Sequence, residues 1–223
     1  MQNNINLGEL FMEKDVFEKR SSVRKYTDAE VPDSDIEKML KAAVQAPSGK
    51  NMQNWHFVIV KDKKKINDIA EIIAEKNKKL RDAVDDENLI DNFKKYLKFG
   101  THFKKAPVLV LFFVSPYPTT GKNIMEAAGS SQEEIEALLK ADPGIQNIAA
   151  AAENFMLKAA DLGYGTCWMT SQNYASLEIK DYLDADFNKN IFDLALITPL
   201  GVPAEELSSP KRKDMEDVVS WIR

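Results

Sequence analysis

The spacing of hydrophobic and polar positions predicts where the main helices and strands lie. Apolar residues recur at i, i+3, i+4 and i+7, which is the period of a helix with one buried face, over 36–44, 63–81 and 145–162. Continuous runs of β-branched and aromatic residues predict buried strands at 55–60, 107–114 and 192–200. Because 107–114 contains no polar position, we expect it to be a central strand that is covered on both faces.

Other segments carry weaker signals. Residues 10–19 are expected to form a short amphipathic helix with Leu10, Val16 and Phe17 facing inward. The remaining predictions are a helix within 82–104, a short strand or turn at 165–169 and a small helix at 177–183. Helices and strands mix irregularly in this order, which predicts an α+β fold with a mostly antiparallel central sheet of about four or five strands flanked by helices.

The connection 115–143 is the least regular part of the chain. It contains several proline, glycine, serine and threonine residues, with one short helix expected at 132–140. A connection this long is usually functional or mobile, so we expect an excursion from the fold or a lid. No repeat or linker divides the sequence, and we therefore expect residues 1–223 to form a single domain.

Composition and charge exclude several classes of protein. The net charge of −5 gives a field that repels nucleic acid, so any anion site has to be built locally. No run of about 18 apolar residues is present, and the segment Met1–Phe11 lacks the regions of a signal peptide. A single cysteine precludes an internal disulfide, which agrees with a reducing, cytoplasmic location.

Most familiar catalytic motifs are missing. The stretch Gly163–Trp168 begins like a dinucleotide fingerprint, but it lacks the third glycine and follows a helix instead of opening one. Cys167 lies in an apolar stretch far in sequence from His56 and His102, which favours a buried, inert thiol over a nucleophile. No spacing typical of metal ligands occurs, so no metal site is expected.

Three polar segments suggest an anionic ligand when they are considered together. The first is Arg20-Ser21-Ser22-Val23-Arg24, which we call the basic loop. By itself this loop is either a solvated run of charges or a phosphate site. The second interpretation is chemically reasonable because guanidinium and hydroxyl groups bind dianions well. The neutral loop Pro47–Gln53 and the cations Lys211 and Arg212 supply further polar groups, and the three together indicate a mononucleotide-type ligand.

The same segments carry a resemblance to a known family. Arg20-Ser-Ser-Val-Arg-Lys-Tyr26 and Ala46-Pro-Ser-Gly-Lys-Asn-Met-Gln-Asn-Trp-His-Phe57 resemble the nitroreductase signatures R-R-S-x-R-x-F and A-P-S-x-x-N-x-Q-P-W-x-F. Ala160-Asp-Leu-Gly-Tyr-Gly-Thr-Cys-Trp168 is similar to the family's A-x-x-L-G-L-G-S-C-W. Leu200-Gly-Val-Pro-Ala-Glu205, followed by a basic cluster, is similar to its I-G-Y-P-A-E ending. These matches run in the family's order over most of the chain.

The resemblance implies an FMN cofactor and an intertwined homodimer with flavin sites between the subunits. It assigns the phosphate to Arg20, Ser22 and Arg24, with Ser21 beside them and Arg212 and Lys211 joining from the tail. It brings Pro47, Ser48 and Asn51, with Gln53 assisting, to the ring and ribityl chain from the partner subunit. The backbone of Trp168, Met169 and Thr170 would border the isoalloxazine, with one N–H near N5.

Three departures from the family pattern affect these expectations. Asn54 stands where the family has proline, which should leave the preceding loop freer. Ser21 replaces a second arginine or a histidine and so removes one cation. The region 82–143 matches no particular subgroup of the family. The identity of the substrate therefore stays open, whereas the expectation of a flavin cofactor is unaffected.

The implied activity is a ping-pong reaction in which NAD(P)H reduces FMN and the flavin then reduces a small acceptor. Nitroaromatics, quinones or similar electron-poor compounds are the expected acceptors, with an enone or free flavin as alternatives. A flavin-binding or storage module without turnover would carry the same basic loop. A third possibility is a protein that uses the basic loop to bind a phosphopeptide or nucleic acid.

Overall fold

A four-stranded antiparallel sheet with helices on both faces forms the centre of the structure. The computed structural model describes residues 15–206 and 209–223. The strands are β1 (Trp55–Val60), β2 (Val108–Val114), β3 (Gly165–Thr166) and β4 (Asp193–Gly201). The helices are α1 (Val16–Lys19), α2 (Asp33–Ala43), α3 (Lys63–Arg81), α4 (Glu87–Gly100), α5 (Lys122–Ala127), α6 (Gln132–Leu139), α7 (Pro143–Asp161) and α8 (Ser176–Tyr182). The predicted α+β class is therefore confirmed.

Strand order places β2 and β4 inside the sheet and β1 and β3 at its edges. The order is β1-β2-β4-β3, and each neighbouring pair is antiparallel. The start of β1 pairs with the end of β2 through Trp55 and Val114, whereas β3 pairs with the end of β4. Every residue of β2 is buried, which confirms the central strand that its uninterrupted apolar run predicts.

The two faces of β2 belong to two different hydrophobic clusters. Val108, Val110 and Phe112 belong to a cluster that includes residues of α2 and α7, and the intervening Leu109 and Leu111 belong to one that includes residues of α3 and α8. Alternate residues of a strand face opposite sides of the sheet, so a strand between two cores needs apolar residues at every position.

The long helix α7 follows its sequence signals closely. Asp142 accepts a hydrogen bond from the Ile145 N–H at the helix start, and Pro143 occupies the first turn. Gly163, just beyond the C-terminus, has a φ of 84°, the left-handed conformation that glycine adopts without strain. The small residues Ala151, Ala152 and Ala159 are fully buried, and α2 packs along this helix.

The weaker predictions need several corrections. Phe17 is exposed, because α1 is a single turn that cannot bury a complete face, and Leu10 lies outside the described residues. The helix predicted over 63–81 with one buried face was expected to include Leu80 on that face, but Leu80 is exposed near the end of α3. Region 115–143 holds two helices, α5 and α6, where one was predicted, because Gly121 and Ser131 each begin one. Its role as a lid and the single-domain boundary at 1–223 stay predictions.

Among residues 15–206 and 209–223, no helix combines the length and hydrophobicity needed to cross a bilayer. The same residues contain no group of three or more histidine, cysteine or acidic side chains arranged to hold a metal ion.

We expect Phe112→Ala to destabilise the protein strongly. Phe112 is fully buried and packs edge-on against both Phe57 and Phe155. Its loss should lower the free energy of unfolding by about 3–5 kcal/mol, measured by urea denaturation. The exposed Leu177 provides the control, because Leu177→Ala should change stability little. Equal effects of the two substitutions would contradict the proposed core.

Candidate functional site

The basic loop lies along the edge strand β3. Ser22 pairs with Thr166 in parallel orientation, and the Val23 N–H donates to the Thr166 carbonyl at 2.8 Å. A Cβ placed on Gly165 would lie 2.6–2.8 Å from three atoms of the Val23 side chain. Only a residue without a side chain allows this approach, so Gly165 determines how closely the basic loop packs against the sheet.

The buried Cys167 directly follows the strand β3, with which the basic loop pairs. Burial raises the pKa of its thiol. The positive charge of Arg24, the Ser22 hydroxyl and the positive charge of Arg20 act in the opposite direction and lower that pKa. The expectation of a buried thiol agrees with this arrangement.

A cavity of about 240 Å³ borders the basic loop and is lined by Ser21–Lys25 with Glu205 and Glu206. Lys25 forms an ion pair with Glu205 at 2.5 Å, so its charge is matched locally. The exposed Arg24 donates to the Ser22 carbonyl at 3.3 Å, and Arg20 lies 3.9 Å from Glu153. A guanidinium group and a serine hydroxyl at one exposed cavity are the donors that a phosphate dianion requires.

The segment Trp168–Thr170 continues from β3, the strand with which the basic loop pairs. Met169 is buried and exchanges two backbone hydrogen bonds with Ile197 of β4, so its N–H is already used by the sheet. Trp168 and Thr170 on either side are exposed. Both residues follow β3 along the sheet edge beside which the basic loop packs.

Lys211 and Arg212 lie outside the cavity of the basic loop. Arg212 lines a different cavity of about 700 Å³, which Phe17, Tyr164 and Pro210 also border. Lys211 is 4.0 Å from Asp214 on its own segment. Neither residue lines the cavity of the basic loop, so their contact with a shared phosphate stays a prediction.

The loop Pro47–Gln53 lies diagonally across the sheet from the basic loop. The loop Pro47–Gln53 precedes β1, an edge strand, and lies beside the end of β2. The basic loop packs on β3, the opposite edge strand, and lies at the level of the start of β2. Seven residues of strand span roughly 20 Å, and three strand spacings span about 14 Å. One chain therefore holds its two polar loops too far apart to close on the same small ligand.

The loop Pro47–Gln53 has an unusual backbone. Lys50, Asn51 and Gln53 have φ values of 56°, 51° and 46°, a left-handed region that non-glycine residues rarely adopt. Ser48 accepts a hydrogen bond from the Gln53 N–H at 3.0 Å, and the segment Gly49–Asn51 forms a 3₁₀ turn. Ser48 is half-buried, whereas Pro47, Asn51 and Gln53 are exposed.

The expectation that Asn54 would free this loop is wrong. The Asn54 side chain is buried and donates to the Ser115 carbonyl at 2.7 Å while it accepts from the Asn147 amide at 2.8 Å. The asparagine therefore binds the end of the loop to two other parts of the chain. Sequence reasoning could not find the partner, because Asn147 is 93 residues away and stands in no motif.

His102 is a second residue near the site that the sequence left unassigned. Burial lowers the pKa of its imidazole, the hydrogen bond with the Phe99 carbonyl raises it, and the positive charge of Arg24 lowers it further. Nδ1 is 2.7 Å from the Phe99 carbonyl, and Nε2 has no hydrogen-bond partner among the residues that the structure describes. No spacing in the sequence indicates this proximity.

Comparison with known proteins identifies the family. The model of the nitroreductase family matches residues 17–202, which include the basic loop, the loop Pro47–Gln53 and β3. The chain belongs to the nitroreductase family. The predicted family and the nitroreductase-like fold are both confirmed.

Solved structures agree with this membership. A BluB-like flavoprotein from Clostridium difficile 630 superposes with a TM-score of 0.86 at 42% identity, covering 93% of this chain and 97% of that one. A nitroreductase with bound FMN from Desulfitobacterium hafniense superposes with a TM-score of 0.67 at 19% identity, covering 93% and 96% of the two chains. At that low identity the second comparison shows the fold alone.

The curated relatives of this nitroreductase family member carry two kinds of name. A protein from Archaeoglobus fulgidus named a putative NADH dehydrogenase/NAD(P)H nitroreductase is 28% identical over 67% of this chain, which spans 62% of that relative's length. Iodotyrosine deiodinase 1 from Sus scrofa is 26% identical over 92% of this chain, and this chain spans 66% of the length of that protein. These names describe the relatives themselves.

We expect Gly165→Ala to displace the basic loop and lower stability. The new methyl group would meet Val23 at 2.6–2.8 Å, and the atoms it meets include the Val23 Cβ, which cannot rotate away. Overpacking of this kind costs about 1–3 kcal/mol, measured by thermal or urea unfolding. Gly100→Ala is the control, since a Cβ there would make only an ordinary contact with Ser171 at 3.7 Å. An unchanged stability of Gly165→Ala would contradict the close packing on β3.

Proposed function

We propose that this nitroreductase family member is an FMN-dependent oxidoreductase. It takes two electrons from NAD(P)H and passes them by a ping-pong mechanism to nitroaromatics, quinones or similar electron-poor acceptors. The observation that carries the proposal is the exposed cavity that Ser22 and Arg24 line, on backbone that pairs with the edge strand β3. The flavin named for the Clostridium difficile neighbour supports it, as does the family membership.

The donors of the basic loop fit the phosphate of FMN. Arg24 lies at the exposed cavity, and Ser22 lies next to it on backbone that β3 holds in place. A charge-assisted hydrogen bond from guanidinium to phosphate oxygen is stronger than a neutral one and is directional. Trp168 and Thr170, further along the same edge, border the ring, and Lys211 and Arg212 add charge to the phosphate from the tail.

We propose that the site is completed by a second copy of the chain. The diagonal separation of the two polar loops prevents one copy from supplying both, so Pro47, Ser48, Asn51 and Gln53 approach the flavin from the partner in an intertwined homodimer. Exposed apolar residues at the C-terminal end, Trp221 and Ile222, support such an interface because water is a poor environment for them. The excursion 115–143 of the single domain 1–223 then serves as a lid.

The chain's residues provide binding and orientation for the reaction. FMN, when bound, supplies hydride transfer at its N5 atom, and this explains why no catalytic acid, nucleophile or metal is needed. The overall reaction would transfer a hydride from NAD(P)H and a proton from solvent to the acceptor, so that NAD(P)⁺ leaves and a quinone becomes a hydroquinone. The exposed residues Trp168 and Thr170 would hold each reactant against the ring in turn. The single buried thiol supports a cytoplasmic location for this chemistry.

An anaerobic reduction titration tests this function. The purified protein should be yellow, and one equivalent of NADH or NADPH per flavin should bleach it, after which an acceptor should restore the colour. The acceptor panel contains a nitroaromatic, a quinone, an enone, free flavin and iodotyrosine, the last because relatives are named deiodinases. A yellow protein that neither nucleotide bleaches would be a binding module, and a colourless protein that binds polyanions in a salt-sensitive way would be an interaction protein.

We expect Arg24→Ala to weaken FMN retention. Loss of a charge-assisted contact to phosphate should cost roughly 1.5–3 kcal/mol of binding free energy, or about a tenfold to a hundredfold rise in Kd. Flavin fluorescence during dialysis measures the loss. Lys25→Ala is the matched control, because Lys25 is already paired with Glu205 and should matter less. Full flavin occupancy of Arg24→Ala after dialysis would show that the phosphate is bound elsewhere.

A further inference from the structure

Two buried asparagines connect three separate segments of the chain. Asn54 and Asn147 are 4% and 6% exposed, and the Asn147 Nδ2 donates to the Asn54 Oδ1 at 2.8 Å. On one side, the Gly49 N–H donates to the Asn147 Oδ1 at 3.0 Å. On the other side, the Asn54 Nδ2 donates to the Ser115 carbonyl at 2.7 Å. We call this chain of three hydrogen bonds the amide relay.

The ends of the amide relay determine its direction. It begins at a backbone N–H, which can only donate, and ends at a backbone carbonyl, which can only accept. Rotating either amide by 180° would set two donors or two acceptors against each other in a buried place. Because unpaired buried polar groups are costly, both side chains are held in one orientation.

The loop that the relay holds has a backbone that needs such support. Lys50, Asn51 and Gln53 occupy the left-handed region, and each such residue stores strain that the surrounding structure has to outweigh. The relay binds Gly49 at the start of this strained stretch and Asn54 at its end. The two residues that enclose the stretch are thus fixed through one buried pair.

A second set of contacts connects the same loop to the start of the excursion 115–143. The Lys50 Nζ donates to the Pro118 carbonyl at 2.9 Å and lies 5.3 Å from the centre of the Tyr117 ring. The Tyr117 hydroxyl occupies the space beside Gly49, because a Cβ there would lie 2.6 Å from it. Together with the bond from Asn54 to Ser115, these contacts make the loop and residues 115–118 one unit.

We infer that Asn54 and Asn147 are positioning residues that fix the loop Pro47–Gln53 in the shape that presents Ser48 and Asn51 to the flavin ring. The inference rests on the proposed function, because it needs a flavin at the partner's site. It also explains why this chain has asparagine where the family has proline. A proline limits the backbone by its ring, whereas Asn54 limits it by hydrogen bonds to α7 and to the excursion.

Isosteric variants test the relay without opening a cavity. Asn54→Asp sets a carboxylate oxygen against the Ser115 carbonyl, and Asn147→Asp sets one against the Asn54 Oδ1, so each breaks a single link. Asn77→Asp is the matched control, because Asn77 is a fully buried asparagine that bonds Phe93 and Arg81, away from the loop.

The first readout is amide hydrogen exchange of the flavin-free protein. Both variants keep an oxygen acceptor for the Gly49 N–H, but each sets a carboxylate against another buried acceptor, and the displacement of that side chain should raise exchange at Gly49 at least about tenfold. Exchange at Gly49 should stay unchanged in Asn77→Asp, even if the overall stability falls. Unchanged Gly49 exchange in both relay variants would overturn the inference.

The second readout is flavin affinity with and without the phosphate. Both relay variants should bind riboflavin and FMN about tenfold more weakly, while the ratio of the two affinities stays as in the wild type, because the basic loop is intact. The visible circular dichroism of bound FMN should also change. Unchanged affinities and spectrum in a wild-type-like reductase would refute the positioning role and leave the proposed function standing. A wild-type protein that binds no flavin would refute the proposed function itself.

Discussion

The packing of Val23 on Gly165 is the contact on which the rest of the site depends. Without a side chain at Gly165, the basic loop comes close enough to β3 for Ser22 and Thr166 to pair as neighbouring strands do. That pairing turns a flexible charged segment into part of the sheet edge. We propose that Arg20, Ser22 and Arg24, carried on this fixed backbone, lose less conformational entropy on binding an anion than they would on a free loop.

Sheet order then determines how a complete site can form. Because β1 and β3 are opposite edges, the two loops with the strongest functional sequence patterns lie far apart in one chain. We propose that a second copy presents its loop Pro47–Gln53 to the first copy's basic loop, which would bring the two loops together. The strained backbone of that loop and the amide relay behind it are consistent with a loop that has to keep its shape at a surface between subunits.

Local patterns predicted a large part of the fold. The bounds of β1 and α3 match their predicted ranges, because strand and helix periods are properties of neighbouring residues. The burial of every residue of β2 could also be predicted, from its uninterrupted apolar run. The prediction that Phe17 faces inward was wrong, because a one-turn helix is too short for its periodicity to determine which side chains are buried. Helix α5 of the excursion 115–143 was not predicted, because its N-terminus depends on Gly121.

The site was predictable in composition but not in arrangement. The basic loop and the loop before β1 could be recognised from their residues, whereas the distance between them depends on strand order, which no local pattern encodes. The link from Asn54 to Asn147 reversed the expected effect of replacing proline, because it joins positions 93 residues apart. Arg212 was expected at the phosphate and lies in a neighbouring cavity with Phe17 and Tyr164.

The role of the basic loop can be measured by the ratio of the affinities for FMN and riboflavin, in the wild type and in Arg24→Ala. The two ligands differ only in the phosphate, so the ratio isolates the contribution of the basic loop from that of the ring. We expect FMN to bind the wild type at least about a hundredfold more tightly than riboflavin, and Arg24→Ala to remove most of this difference. An equal ratio in the two proteins would contradict this role of the basic loop.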